Sequence, residues 1–236
     1  MIRLKFMLLV TVSLATSFIS NAATQGAEPE KSRPRVLIIG DSISLGYTPI
    51  VKKKLEATAD VLRPNENCQH TAYGLKRIDA WLGDGRWDVI HFNWGIWDTH
   101  LLDPKGNLVR PEPAEQGQFK QRHTPEDYRK NLTQLVEKMQ ATGATLIWAS
   151  TTPITSRKGD RFEAIKQLNA VAAEVAGSHK VEVNDLYEFV LPNAETWLSG
   201  DQVHFNGPGN KHLADRVSES ILKALTKRGE VKASGK

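Results

Sequence analysis

A serine early in this chain and an aspartate–histidine pair late in it have the types and spacing that covalent chemistry requires. Ser42 lies in Gly40-Asp41-Ser42-Ile43-Ser44, and the pair lies in Asp201-Gln202-Val203-His204. A serine hydroxyl is a weak nucleophile until a base takes its proton. A histidine base in turn needs a carboxylate to hold its tautomer and stabilise its charged form. Asp and His three residues apart can meet across one turn of loop. Ser42, Asp201 and His204 then fill every role that acyl transfer needs. The plainer alternative makes Asp41 and Ser42 a turn and a helix cap, Asp201 a turn residue and His204 an ordinary surface histidine. Each stretch alone admits that alternative, and the two together outweigh it.

The elements around these residues can position them. Val36-Leu37-Ile38-Ile39 is a short apolar run that reads as a buried strand of a parallel sheet. Gly40 ends it, and an amphipathic run starts near Tyr47, with a helix expected over 48–57. Ligands of open α/β sheets bind outside the carboxyl ends of the strands, and a helix N-terminus favours developing negative charge. Further strands are expected over 60–64, 88–93, 145–150 and 181–185. Helices are expected over 74–82, 124–142, 161–176 and 209–225, with a short helical turn at 186–191. Residues 101–122 read as a long polar insertion with Pro104, Gly106, Pro111 and Pro113 inside it, a loop long enough to cover a site. Strand–helix alternation over five strands argues for a doubly wound parallel sheet.

Gly40-Asp41-Ser42-Ile43 resembles the Gly-Asp-Ser-Leu signature of the GDSL, or SGNH, hydrolase family, with Ile in the Leu place. Asp201-Gln202-Val203-His204 is similar to that family's terminal Asp-x-x-His block. The resemblance covers roughly Arg35 to Thr226. It implies a flavodoxin-like three-layer α/β/α sandwich with a five-stranded, mainly parallel sheet, and serine ester hydrolysis without a cofactor. It also implies that the backbone N–H groups of Ser42 and Gly74 receive the oxyanion; Gly74 read on its own is a turn glycine. Where the family carries Gly-x-Asn-Asp, this chain reads Gly95-Ile96-Trp97-Asp98. Trp97 stands in the Asn place, so Asn93 is expected to supply the side-chain amide instead. The elbow of the α/β-hydrolases, Gly-x-Ser-x-Gly, fits less well, because Ser44 stands where its second Gly would be.

Composition bounds the remaining choices. The 236 residues are 40% hydrophobic and 25% charged, with a formal charge of +4, as for one globular domain. Residues 1–22 read as a signal peptide, with Arg3 and Lys5 as the basic start, an apolar middle and Ser20-Asn21-Ala22 before the cleavage point. Residues 23–34 read as a linker, 35–228 as the hydrolase domain and 229–236 as a disordered tail. Export to the periplasm or exterior follows, with no stable membrane insertion after cleavage. Without its leader the chain carries only +2, too little to argue for nucleic acid. Cys68 is the single cysteine, so no intrachain disulfide forms. His91, His100 and Asp98 form no recognisable metal-ligand pattern, and no metal is expected.

The expected partner is a small-molecule or glycan ester, with O-acetyl esters of carbohydrates favoured. Trp94 and Trp97, with Asp98, lie beside the site, where the two indoles either stack on a sugar ring or pack under the insertion. A lipase or lysophospholipase is the second substrate class. A non-catalytic glycan-binding module and a phosphate-binding flavodoxin-like protein are the readings outside hydrolysis.

Overall fold

A computed structural model of the chain describes residues 32–110, 113–154 and 160–231. The expected signal peptide, the linker up to residue 31 and the tail beyond 231 lie outside the described residues.

The main sheet consists of β1 (Arg35–Ile39), β2 (Asp60–Leu62), β3 (Val89–Phe92), β7 (Thr145–Ala149) and β8 (Glu182–Asn184). Its order is β2-β1-β3-β7-β8, and every neighbouring pair is parallel. This is the flavodoxin-like order, and it reverses direction between β1 and β3. Both faces are covered, so strand side chains alternate between two apolar layers. Val36 and Ile38 of β1 pack with α1 (Ser42–Leu55) and α7 (Gly207–Lys227), whereas Leu37 and Ile39 pack with α2 (Thr71–Leu82), α3 (Pro125–Gln140) and α4 (Asp160–Ser178). Ile165, Leu168, Val171, Ala172 and Val175, the apolar stripe of α4, are all buried.

Two helices begin earlier than the apolar pattern predicts, because caps set their starts. Asp41 accepts the Ile43 N–H at 2.9 Å, which starts α1 at Ser42. His70 Nδ1 accepts the Tyr73 N–H at 3.2 Å, which starts α2 at Thr71 and leaves Gly74 inside the helix. The start of α3 follows its sequence signals, with Thr124 and Asp127 forming a reciprocal capping box and Pro125 in the first turn.

The insertion is folded rather than an open loop. β4 (Leu101–Leu102), β5 (Leu108–Val109) and β6 (Lys120–Gln121) form a small antiparallel sheet in the order β5-β4-β6, with a 3-10 turn at Pro113–Gln118. Asp103 builds its hairpin, accepting the N–H groups of Lys105 and Asn107. Strands of two residues carry no readable period, which is why the sequence pattern shows only polar loop. Short helices α5 (Leu186–Val190) and α6 (Ala194–Trp197) lead to the late aspartate–histidine stretch. Among the described residues no helix is long and apolar enough to cross a membrane.

Candidate active site

Ser42 is the first residue of α1, directly beyond the carboxyl end of β1 at the point where the strand order reverses. The first N–H groups of a helix have no intrahelical acceptor and point outward with the positive end of the helix dipole. The Ser42 N–H is one of them. Asp41, the cap, is 2% exposed, and its second oxygen is buried without a hydrogen bond. Burial pushes its pKa up to about 6, against the Ile43 N–H bond and the charge of His204, while nearby Asp98 adds to the rise.

The loop between α6 and α7 presents the other two residues. Leu198 and Phe205 form an antiparallel bridge across it. The Ser199 N–H donates to His204 O at 2.7 Å, and Asn206 N–H to Trp197 O at 2.9 Å. The turn is closed by Gln202, whose φ of +63° is a left-handed conformation that costs a non-glycine residue energy. Asp201 Oδ1 accepts from Ser199 Oγ and from the N–H groups of Val203 and His204. Its Oδ2 faces His204 Nδ1 at 2.5 Å, and His204 Nε2 faces Ser42 Oγ at 2.7 Å. With the proton held on Nδ1 and donated to the Asp201 carboxylate, Nε2 is left to accept the serine hydroxyl. Partial burial raises the Asp201 pKa. The bonds from the His204 ring, the two N–H groups and Ser199 outweigh it and hold Asp201 well below the ordinary carboxylate value. Residues 162 positions apart in sequence thus form one hydrogen-bonded chain of the three groups, able to move a proton off an attacking hydroxyl.

The expected oxyanion donors are placed differently. The Gly74 N–H donates to His70 O at 3.0 Å inside α2, so the oxyanion role is replaced by a packing one. A β-carbon there would stand 2.9 Å from the Trp94 ring, which is why the position holds glycine. Asn93 also departs from expectation. Its amide nitrogen reaches Ala149 O at 2.8 Å and Thr151 Oγ1 at 3.1 Å, so both protons are used to join the ends of β3 and β7. The Trp97 indole N–H makes no hydrogen bond among the described residues. Its ring lies against His100, with 4.9 Å between centroids, and packs on the apolar layer that includes Ile43 and Phe205.

Trp94 and Asp98 are corrected from substrate contacts to interior groups. Trp94 is 1% exposed, donates its indole N–H to Cys68 O and accepts the Tyr128 hydroxyl on its backbone oxygen. Asp98 is fully buried. It accepts the Thr71 N–H, the Thr71 hydroxyl at 2.6 Å and His123 Nδ1 at 2.6 Å. Asn131 of α3 adds a bond to Thr71 Oγ1 at 3.2 Å. One carboxylate therefore ties the β3 exit, the start of α2 and the end of the insertion together. Thr71 and His123 carry no local motif, so only the fold reveals them. His91 is buried in β3, and its Nε2 lies 3.2 Å from the amide nitrogen of Asn184.

A flavodoxin-like sheet that presents a helix-capped serine beyond its first strand defines a class of ester hydrolase. Residues 38–212 match the GDSL-like lipase/acylhydrolase family, and the chain belongs to it. No curated protein sequence matches the chain. Its fold is similar to that of a lipase/acylhydrolase from Enterococcus faecalis, at 21% identity and a TM-score of 0.65, covering 86% of this chain and 100% of that one. An acetyl xylan esterase is similar at 16% identity and 0.64, covering 79% and 99% of the two chains. A GDSL-like lipase from Bacteroides thetaiotaomicron follows at 19% and 0.63, covering 84% and 93%.

Proposed function

We propose that this chain is an exported serine esterase that removes O-acyl groups, acetyl above all, from carbohydrates. The hydrogen-bonded chain from Ser42 Oγ through His204 to Asp201 carries the catalytic part of this reading. In the first step His204 Nε2 takes the Ser42 proton as Oγ bonds to the ester carbonyl carbon. The tetrahedral oxyanion lies at the N-terminus of α1, facing the Ser42 N–H. His204 then gives its proton to the departing alcohol, leaving an acyl-serine. Water, deprotonated by His204, releases the acid and restores the serine. Asp201 keeps the imidazole in its working tautomer and balances its charge. The cycle balances with no cofactor.

The carbohydrate part rests on the half-buried Trp97 beside α1 and on the likeness to an acetyl xylan esterase. Lipid esters are the second reading, favoured by the lipase members of the family. Export rests on the basic and apolar pattern of residues 1–22. The test is labelling of the purified protein by a fluorophosphonate, together with hydrolysis of short-chain aryl esters and acetylated sugars. Labelling on Ser42 alone, and loss of nearly all hydrolysis in folded Ser42→Ala, is the expected result. Full activity of that variant would overturn it.

A further inference from the structure

The end of the insertion carries an arginine, Arg122, that makes no ion pair among the described residues and whose backbone is tied to the β3 exit. Arg122 follows β6, and its N–H donates to His100 O at 2.8 Å, which fixes its backbone against the β3 exit. Its side chain is half-buried, and its Nε is buried without a hydrogen bond. Asp98 acts on it through its charge but makes no hydrogen bond to it, because Thr71 and His123 already occupy that carboxylate. A guanidinium taken partly out of water is costly unless something compensates its charge. Here the Asp98 charge compensates only in part, and the guanidinium Nε is left without a hydrogen bond.

His70 packs on the same segment, its ring centroid 5.1 Å from that of His123, the residue after Arg122. Burial, and then the nearby Arg122, push its pKa down to about 4, so its ring is neutral at pH 7. Its Nδ1 accepts the Tyr73 N–H, which places the ring proton on Nε2 as an outward donor. The loop that carries it is pinned to the nucleophile's turn, because the Cys68 N–H donates to Gly40 O at 3.3 Å, two residues before Ser42. Between Cys68 and His70, Gln69 adopts φ +47°. A non-glycine residue held there is strained, and such strain tends to cluster at ligand sites.

We propose that Arg122 and His70 form a carboxylate-binding subsite, so that the preferred substrate is an ester whose acyl or alcohol part carries a carboxylate, such as an acylated uronic acid. A carboxylate can take two parallel N–H bonds from a guanidinium and a third from His70 Nε2. The single positive charge matches a monoanion. A phosphate dianion would leave surplus negative charge close to Asp98. The proposal rests on the esterase reading of Ser42 and names its substrate class.

Two matched pairs of esters test it and distinguish the side that carries the charge. p-Nitrophenyl acetate against mono-p-nitrophenyl succinate places the carboxylate on the acyl part. Acetylated glucose against acetylated glucuronic acid places it on the alcohol. The wild-type kcat/KM should favour the anionic member about tenfold or more in one pair. Arg122→Gln should erase that ratio, Arg122→Lys should keep part of it, and Arg86→Gln, an exposed charge at the other end of the sheet, should leave it intact. Equal rates within both pairs, or a ratio that survives Arg122→Gln, would overturn the subsite. Calorimetry on wild type guards against a variant that does not fold. Glucuronate or succinate should bind at least tenfold more tightly than glucose or butanediol, and equal binding counts against the proposal. If wild type hydrolyses no ester yet binds the free carboxylates selectively, the esterase reading fails and the subsite stands.

Discussion

Asp201 serves two partners with its two oxygens, for Oδ1 holds the backbone of Val203 and His204 while Oδ2 meets the His204 ring. Substitution can separate the two duties. Asn keeps an acceptor oxygen for the turn but offers an amide where the ring expects a carboxylate, which favours the wrong tautomer. Asp201→Asn should keep the fold and lower kcat by about 10⁴-fold, as in serine enzymes of this logic. Asp201→Ala should also loosen the turn and lower Tm further. Equal activity of Asp201→Asn and wild type in a steady-state ester assay would separate the carboxylate from catalysis.

Gly74 and Trp94 give a stability prediction. Adding a β-carbon 2.9 Å from the indole must move a side chain that is 1% exposed. Gly74→Ala should destabilise by about 1–3 kcal/mol, the usual cost of overpacking, read as a lower denaturation midpoint at unchanged slope. An oxyanion role would instead show as a fall in kcat at full stability.

Asn93 and Trp97 are told apart by the same pair of measurements. Both protons of the Asn93 amide are engaged at the end of β7, so Asn93→Ala should lower stability by about 1–3 kcal/mol as it leaves buried groups unpaired. Trp97→Phe removes the indole N–H that makes no other hydrogen bond. It should lower kcat by about 10²–10³-fold with little change in KM if that group faces the oxyanion. A harmless Trp97→Phe would confine the oxyanion to backbone donors.

Two buried groups set opposing pH slopes. The His91 pKa is pushed down to about 4 by burial, so the unfolded chain takes up this proton first. The stability His91 contributes is present above about pH 6.5 and is lost as pH falls toward 4. Asp41, raised to about 6 by burial, acts the other way, since the folded protein takes its proton first. Its contribution is present below about pH 3.9 and is lost as pH rises through 6. Each shift is worth about 3 kcal/mol, so the two nearly cancel between pH 4 and 6. Asp41→Asn, which keeps the helix cap, should therefore make the protein more acid-sensitive than wild type, and His91→Gln less so. Urea titrations at pH 4.5 and 7.5 measure both; parallel pH slopes in all three proteins would refute the assignment.

Much of this was legible in the sequence, for reasons that particular residues make plain. Val36 to Ile39 alternate between two buried faces, so their unbroken apolar run announces a central parallel strand. Asp201 and His204 meet within one turn, so their spacing carries their geometry. The oxyanion expectation for Gly74 comes from the family resemblance; its place inside α2 and its packing on a ring 20 residues away leave no local sign in the sequence. The bonds of Asn93 do not show in the sequence because its partners, Ala149 at the end of β7 and Thr151 just beyond it, are linked to it by no local pattern. The Asp98, Thr71 and His123 cluster joins three separate segments, and such a meeting exists only in the folded chain.

The bridge from Leu198 to Phe205 and the cap of α7 by Asn206, which accepts the Gly209 N–H at 2.9 Å, make the loop of Asp201 and His204 an extension of the last helix. That helix packs on α1, which carries the nucleophile. During synthesis on the ribosome, Ser42 emerges long before the base that activates it. A nascent or C-terminally clipped chain therefore holds an inert serine. On the proposed mechanism acyl transfer switches on only when α7 docks, so turnover would report directly on completion of the fold.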